Sequence, residues 1–181
     1  MVGRGLGLVL MAAALELASV AGQSDADGSV QRHVYTNRYF KISLTLPPNL
    51  HAVDVASLSV FGSPGKDQFL LMAAREGDSP TGVLLLAEKV RAGSSPMADG
   101  QEFLRKVRKS WDAGEVLDGQ RVRASVGGLT FEELDYETPK VEFDSAIVTR
   151  VGDYLLVFRC NATSKEELKV MDDAVIAMRH P

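Results

Sequence analysis

Cysteine is nearly absent: Cys160 stands alone among 181 residues. One thiol cannot close an internal disulfide, so stability must come from the core. A chain of this length can bury a sizeable one. No apolar run is long enough to span a bilayer; the longest, Leu6 to Leu15, ends at Glu16. Excess positive charge is also missing. The formal net charge of -4 argues against a general binder of nucleic acid or anionic membranes. Histidine is scarce, and His33, His51 and His180 share no ligand spacing with one another, with Cys160 or with a carboxylate motif. No G-x-S-x-G elbow is present. The expectation is therefore no catalytic residue, no metal site and no cofactor.

What is present begins with an address. Arg4 precedes the Leu6–Leu15 run, small residues Ala18-Ser19-Val20-Ala21-Gly22 follow, and Gln23-Ser24-Asp25 is polar. That is the layout of a cleavable secretory signal. Residues 1–22 read as signal peptide, 23–31 as a disordered lead-in and 32–181 as a single domain. The expected location is secreted or periplasmic, with no stable membrane insertion after cleavage.

The clearest strand is Tyr39 to Leu46, with Phe40, Ile42, Leu44 and Leu46 on one face; Pro47-Pro48 ends it. His33 to Thr36 reads as a short partner strand. Residues 50–66 give no clean period. Phe69–Ala74 and Val83–Val90 read as strands joined through Gly77-Asp78-Ser79-Pro80. Ser94-Ser95-Pro96 opens a helix carrying Phe103, Leu104, Val107 and Trp111 on one stripe, with Gly114 as its stop.

Two hairpins follow. Arg121–Val126 turns at Gly127-Gly128 into Leu129–Thr138, which places Arg123 opposite Glu132. The apolar phase slips further along, from Phe131 to Leu134 and Tyr136, and reads as a β-bulge near Glu132-Glu133. Phe143–Val151 turns at Gly152-Asp153 into Tyr154–Ala162. Both faces of this second hairpin are largely apolar, so its strands should be central and covered on both sides. Ser164 to Glu167 is a capping box, and Leu168, Met171, Val175 and Met178 follow at helical spacing. The fold class is α+β: a three-layer α/β/α sandwich with a mostly antiparallel central sheet and helices on both faces.

The order is familiar. Tyr35-x-Asn37-x-Tyr39-Phe40-x-Ile42 runs into a strand ending at Pro47, and middle strands, one amphipathic helix, paired hairpins and a final helix follow. This resembles the PsbP-like family of envelope and thylakoid-lumen proteins, over residues 32–179. The resemblance implies an α/β/α sandwich and a non-enzymatic binding or supporting role. Pro48-Asn49-Leu50 stands where members often have a tryptophan, so no site residues transfer.

The charged groups define the candidate sites. Arg105, Lys106, Arg108 and Lys109 form a basic run on the middle helix, suited to an acidic partner. Glu132, Glu133, Asp135 and Glu137 form an acidic strand. Glu133, Asp135 and Glu137 point one way, with neighbours about 6.5 Å apart. That spacing suits carboxylates of a hydrolase or a loose calcium site. The plainer reading is the solvated side of an edge strand paired with Arg121, Arg123 or Arg150. Cys160 shares a strand face with Leu156 and Phe158 and reads as a buried, inert thiol. Asn161-Ala162-Thr163 is a formal glycosylation sequon. The function read here is an exported, soluble, non-catalytic binding or accessory module whose partner is another envelope protein, with no nucleic acid. The alternatives are a carboxylate-dependent hydrolase on residues 132–137 and a carrier of a small apolar ligand.

Overall fold

The computed structural model describes residues 28–54, 68–90, 95–110, 115–124, 128–137 and 143–180. Residues 1–22, read above as a signal, most of the ambiguous stretch, Trp111, Gly114 and Gly127 lie outside them. Three short strands come first: β1 (Ser29–Gln31), β2 (Val34–Asn37) and β3 (Ile42–Thr45). They pair antiparallel as a small sheet of their own, in the order β1-β2-β3. β1 takes up residues that the sequence reading left to the lead-in, because Val30 packs against the core opposite Tyr35.

Phe40, Ile42, Leu44 and Leu46 are all buried, as their alternation requires. The strand they announce starts later than the pattern does. Arg38–Lys41 form the loop between β2 and β3, and Lys41 takes a left-handed φ of +53°. Asn37 fixes this loop: its Oδ1 accepts from the Phe40 amide at 3.0 Å, and its Nδ2 donates to the Tyr35 hydroxyl at 3.0 Å.

Seven strands make the main sheet: β4 (His51–Ala52), β5 (Gln68–Arg75), β6 (Gly82–Lys89), β7 (Glu115–Ala124), β8 (Thr130–Glu137), β9 (Phe143–Val151) and β10 (Tyr154–Ala162). Their order is β4-β5-β6-β10-β9-β8-β7, and all neighbours are antiparallel. The second hairpin has the expected register, Val151 opposite Tyr154, and β10 is the central strand.

The first hairpin corrects two expectations. Ala124 pairs with Thr130, so the connection runs over residues 125–129 rather than two glycines, and Arg123 stands opposite Phe131, not Glu132. Leu129 is buried in the core, and pairing resumes at Thr130. The irregularity also lies elsewhere: β8 pairs with β9 without a break, and the register shift falls in β7 between Val116 and Gln120. The change of apolar phase in β8 has another cause. Residues 131–135 are buried on both faces, so alternation no longer separates inside from outside.

Two helices complete the described structure: α1 (Pro96–Ser110) and α2 (Lys165–Ile176). Ser95 caps α1 by accepting from the Ala98 amide at 3.1 Å. Its buried Leu104 and Val107 pack on Leu134, Ala146, Val148, Leu155 and Val157. α2 packs on the alternate residues of the same strands, Ile147, Leu156 and Phe158, through Leu168, Met171 and Val175. Ser164 accepts from the Glu167 amide at 3.2 Å. The return arm of the capping box shifts by one residue, since Glu167 accepts from the Thr163 amide. The small sheet joins this second core. Ser43 and Arg179 exchange two backbone hydrogen bonds, of 3.0 and 2.9 Å, tying β3 to the segment after α2.

Candidate functional site

The acidic strand is not a wetted edge. β7 covers that side of β8, and Glu132, Glu133 and Asp135 are only 4%, 0% and 5% exposed. Successive strand residues face opposite ways. Glu133 and Asp135 therefore turn toward α2 while Glu132 turns toward α1.

Under α2 the strand carboxylates meet a third. Carboxylate oxygens of Glu133, Asp135 and Asp172 all lie within 4.8 Å of one another. Asp172 enters from the buried side of α2, one residue after Met171 on the apolar stripe. Ser145 of β9 donates its hydroxyl to Asp172 Oδ1 at 2.5 Å. Arg123 of β7 spans the rim, with Nη1 at 3.3 Å from Glu133 Oε2 and Nη2 at 2.9 Å from Asp173 Oδ1. Lys169 pairs with the other oxygen of Asp173.

Electrostatics separate the two neighbouring aspartates. Burial pushes the Asp172 carboxyl up to about 7, against the Ser145 hydrogen bond, and the charges of Asp135 and Glu133 push the same way. Asp173 is held below the usual carboxylate range by Lys169 first and by Arg123. The Cys160 thiol is driven well up by burial and by Asp172. It is 1% exposed, so the burial expected from the sequence is what the fold produces.

An all-carboxylate donor set suits a hard cation rather than zinc. Arg123 already supplies a positive charge at Glu133, and Ser145 occupies one oxygen of Asp172. A proton held at Asp172 relieves the remaining repulsion.

The other face holds a cleft of about 270 Å³ at the start of α1, lined by Ser95, Gly100, Glu132, Val148, Arg150 and Leu155. Arg150 pairs with Asp99 at 2.8 Å. Gly100 admits the Glu132 carboxylate: a Cβ there would sit 2.5 Å from Glu132 Oε1. The cleft is below the size of most small-molecule sites, and charged groups share its walls.

The basic run stands out from the body. Arg105, Lys106, Arg108 and Lys109 are all exposed, while Leu104 and Val107 beneath them are buried. Lys106 pairs with Glu102 one turn away, at 3.1 Å.

Topology also makes a pair that sequence spacing hides. His33 at the β1–β2 turn and His51 in β4 bring their rings to 5.6 Å, and His33 Nδ1 lies 3.2 Å from the Leu50 carbonyl. Asn161 of the sequon donates to Asp144 Oδ1 at 2.6 Å and is half-buried. The spacing of the chain likewise gives no warning that Asp172, Ser145 and Arg123 meet. The one local signal is a charged residue on the buried side of an apolar helix.

No family model matches this chain, and no curated protein matches it. Solved structures do. The solution structure of cyanobacterial PsbP (CyanoP) from Synechocystis sp. PCC 6803 aligns over 85% of this chain and 98% of its own, with a TM-score of 0.57 at 16% identity. The Ran-binding protein Mog1p of Saccharomyces cerevisiae aligns over 84% and 86%, with a TM-score of 0.42 at 10% identity. The fold is PsbP-like.

Proposed function

We propose that this chain is an exported, non-catalytic binding or accessory module that docks another protein of the cell envelope. The observation that carries the reading is the build of α1. Two buried residues, Leu104 and Val107, anchor the helix, and Arg105, Lys106, Arg108 and Lys109 are presented outward. Packing does not need those four charges. A row of exposed cations on a chain of net charge -4 favours an acidic partner.

Further support comes from the acidic strand. Two of its carboxylates, Glu133 and Asp135, lie buried on the side facing α2, and Arg123 pairs with Glu133. Among the described residues, no helix is long and apolar enough to cross a membrane. In this reading residues 1–22 are removed as a signal, and residues 32–181 form one domain. The two helices, on opposite faces of the main sheet, are the outer layers of a three-layer α/β/α sandwich.

The test is a crosslinked pull-down from the native host. Wild type is compared with a variant carrying glutamate at positions 105, 106, 108 and 109. The expected result is loss of a specific acidic partner, most visibly at low salt, with the melting temperature nearly unchanged. Equal recovery by both proteins overturns the reading.

A further inference from the structure

A second surface lies far from α1, at the loop between β2 and β3. Phe40 turns inward and is 3% exposed, whereas its neighbour Tyr39 turns outward and is 51% exposed. Among the described residues Tyr39 is one of few large apolar side chains so exposed. It is not loose. Its ring stands edge-on to Phe40 at 4.9 Å and to Tyr154 at 5.9 Å. Tyr154 in turn packs edge-on to Phe40 at 5.3 Å and leans on Phe69 at 6.4 Å.

The loop beneath is over-determined. The Asn37 carbonyl oxygen holds the Phe40 amide, and Lys41 takes a left-handed conformation that a lysine enters at a cost of about 1 kcal/mol or more. Asn37 is 0% exposed and anchored to Tyr35, so the strain is held by the core. The outcome is an aromatic tip fixed before any partner arrives. A rigid tyrosine loses little conformational entropy on docking.

Cations surround this tip. Arg38 and Lys41 flank it in the loop, and Lys89 stands beside Tyr154 in the β6–β10 register. All three are exposed, and none forms an ion pair among the described residues. Among the described residues, Asp153 is the exposed carboxylate that adjoins Tyr154 in the chain. The local sign opposes that of the whole chain.

We infer that Tyr39, backed by Tyr154 and flanked by Arg38, Lys41 and Lys89, is a docking surface for an acidic segment of a partner protein carrying an apolar side chain. A lipid surface fits less well. Only Tyr39 projects, so the tip has no apolar depth to insert, and the net charge of the chain repels an anionic bilayer. This inference rests on the binding-module reading but uses a different face of the molecule.

The experiment is a titration of the isotope-labelled chain, followed by backbone amide shifts. The probe is a synthetic peptide of glutamates around one leucine. The controls are the same peptide with lysines for glutamates, and phosphatidylglycerol vesicles. Shifts are expected at Arg38–Lys41, Lys89 and Tyr154 with the glutamate peptide only. Tyr39→Ala should weaken binding about tenfold or more, and Tyr39→Phe should retain it. Arg38→Glu combined with Lys41→Glu and Lys89→Glu should abolish binding while the fold persists. Equal binding of the lysine peptide, preference for vesicles, or indifference to Tyr39→Ala overturns the inference. Shifts confined to residues 105–109 overturn it too and leave the α1 reading standing. Shifts at the loop, alongside a failed pull-down through α1, overturn the α1 reading alone.

Discussion

Ser145 on β9 donates a 2.5 Å hydrogen bond to Asp172 on α2, and this contact joins helix to sheet through a buried carboxyl. It stands among Glu133 and Asp135, whose charges discourage ionisation of Asp172. The main helix–sheet interface therefore contains a protonatable group at its centre.

Stability should fall as pH rises through neutrality. Asp172 has its folded value near 7 against an ordinary 3.8, so the native state binds the extra proton between those values. The stabilisation is full below about pH 4 and is lost as pH climbs past 7. Asp172→Asn, which resembles the protonated acid, should flatten that slope. Urea melts at a series of pH values check this; a slope unchanged in Asp172→Asn removes Asp172 as its source.

Arg123→Met should destabilise the fold by roughly 1–3 kcal/mol, because it removes the cation paired with the fully buried Glu133. The figure stays below that for a deep ion pair because Arg123 is 35% exposed and solvent screens it. Adding Glu133→Leu to the same chain should recover much of the loss. A double-mutant cycle by chemical denaturation gives the coupling.

Gly100→Ala inverts the usual rule for helices. Alanine in place of an exposed helical glycine ordinarily stabilises by about 1 kcal/mol. Here the new methyl meets Glu132 Oε1 at 2.5 Å and Val148 Cγ2 at 3.2 Å. The substitution should lower the melting temperature, and Glu132→Ala in the same chain should restore it. Calorimetry distinguishes the two signs directly.

Cys160 should label slowly. It is buried in the core beneath α2, and burial and Asp172 both keep its thiol protonated. A thiol reagent should react at a rate set by opening of the fold, and at once in denaturant. Asp172→Ala, which loosens α2, should speed native labelling.

Much of this architecture was written in local pattern. The Gly152-Asp153 hairpin has the register its apolar faces require, and the stripe Leu168, Met171, Val175 identified the buried side of α2. The fate of the acidic strand was not legible. Glu133 and Asp135 look like solvent residues until β7 covers one side and Arg123, Ser145 and Asp172 arrive from three other elements. Long-range pairing leaves no periodic trace. The Arg123 register departs from the pattern for a related reason: two glycines suggest a tight turn, but Leu129 is taken into the core and Ala124 pairs with Thr130. The basic run needed no such context, since helical spacing alone puts Leu104 and Val107 inside and the four cations out.

The paired backbone bonds between Ser43 and Arg179 have a consequence for biosynthesis. β3 is made before the main sheet, yet one side of it finds its partner only in residues made after that sheet. Closing that contact means gathering the main sheet and both helices into one loop, an entropic cost no local hairpin bears. The small sheet must wait, incompletely paired, until the main sheet has been made. The fold cannot lock there until the segment after α2 has been made.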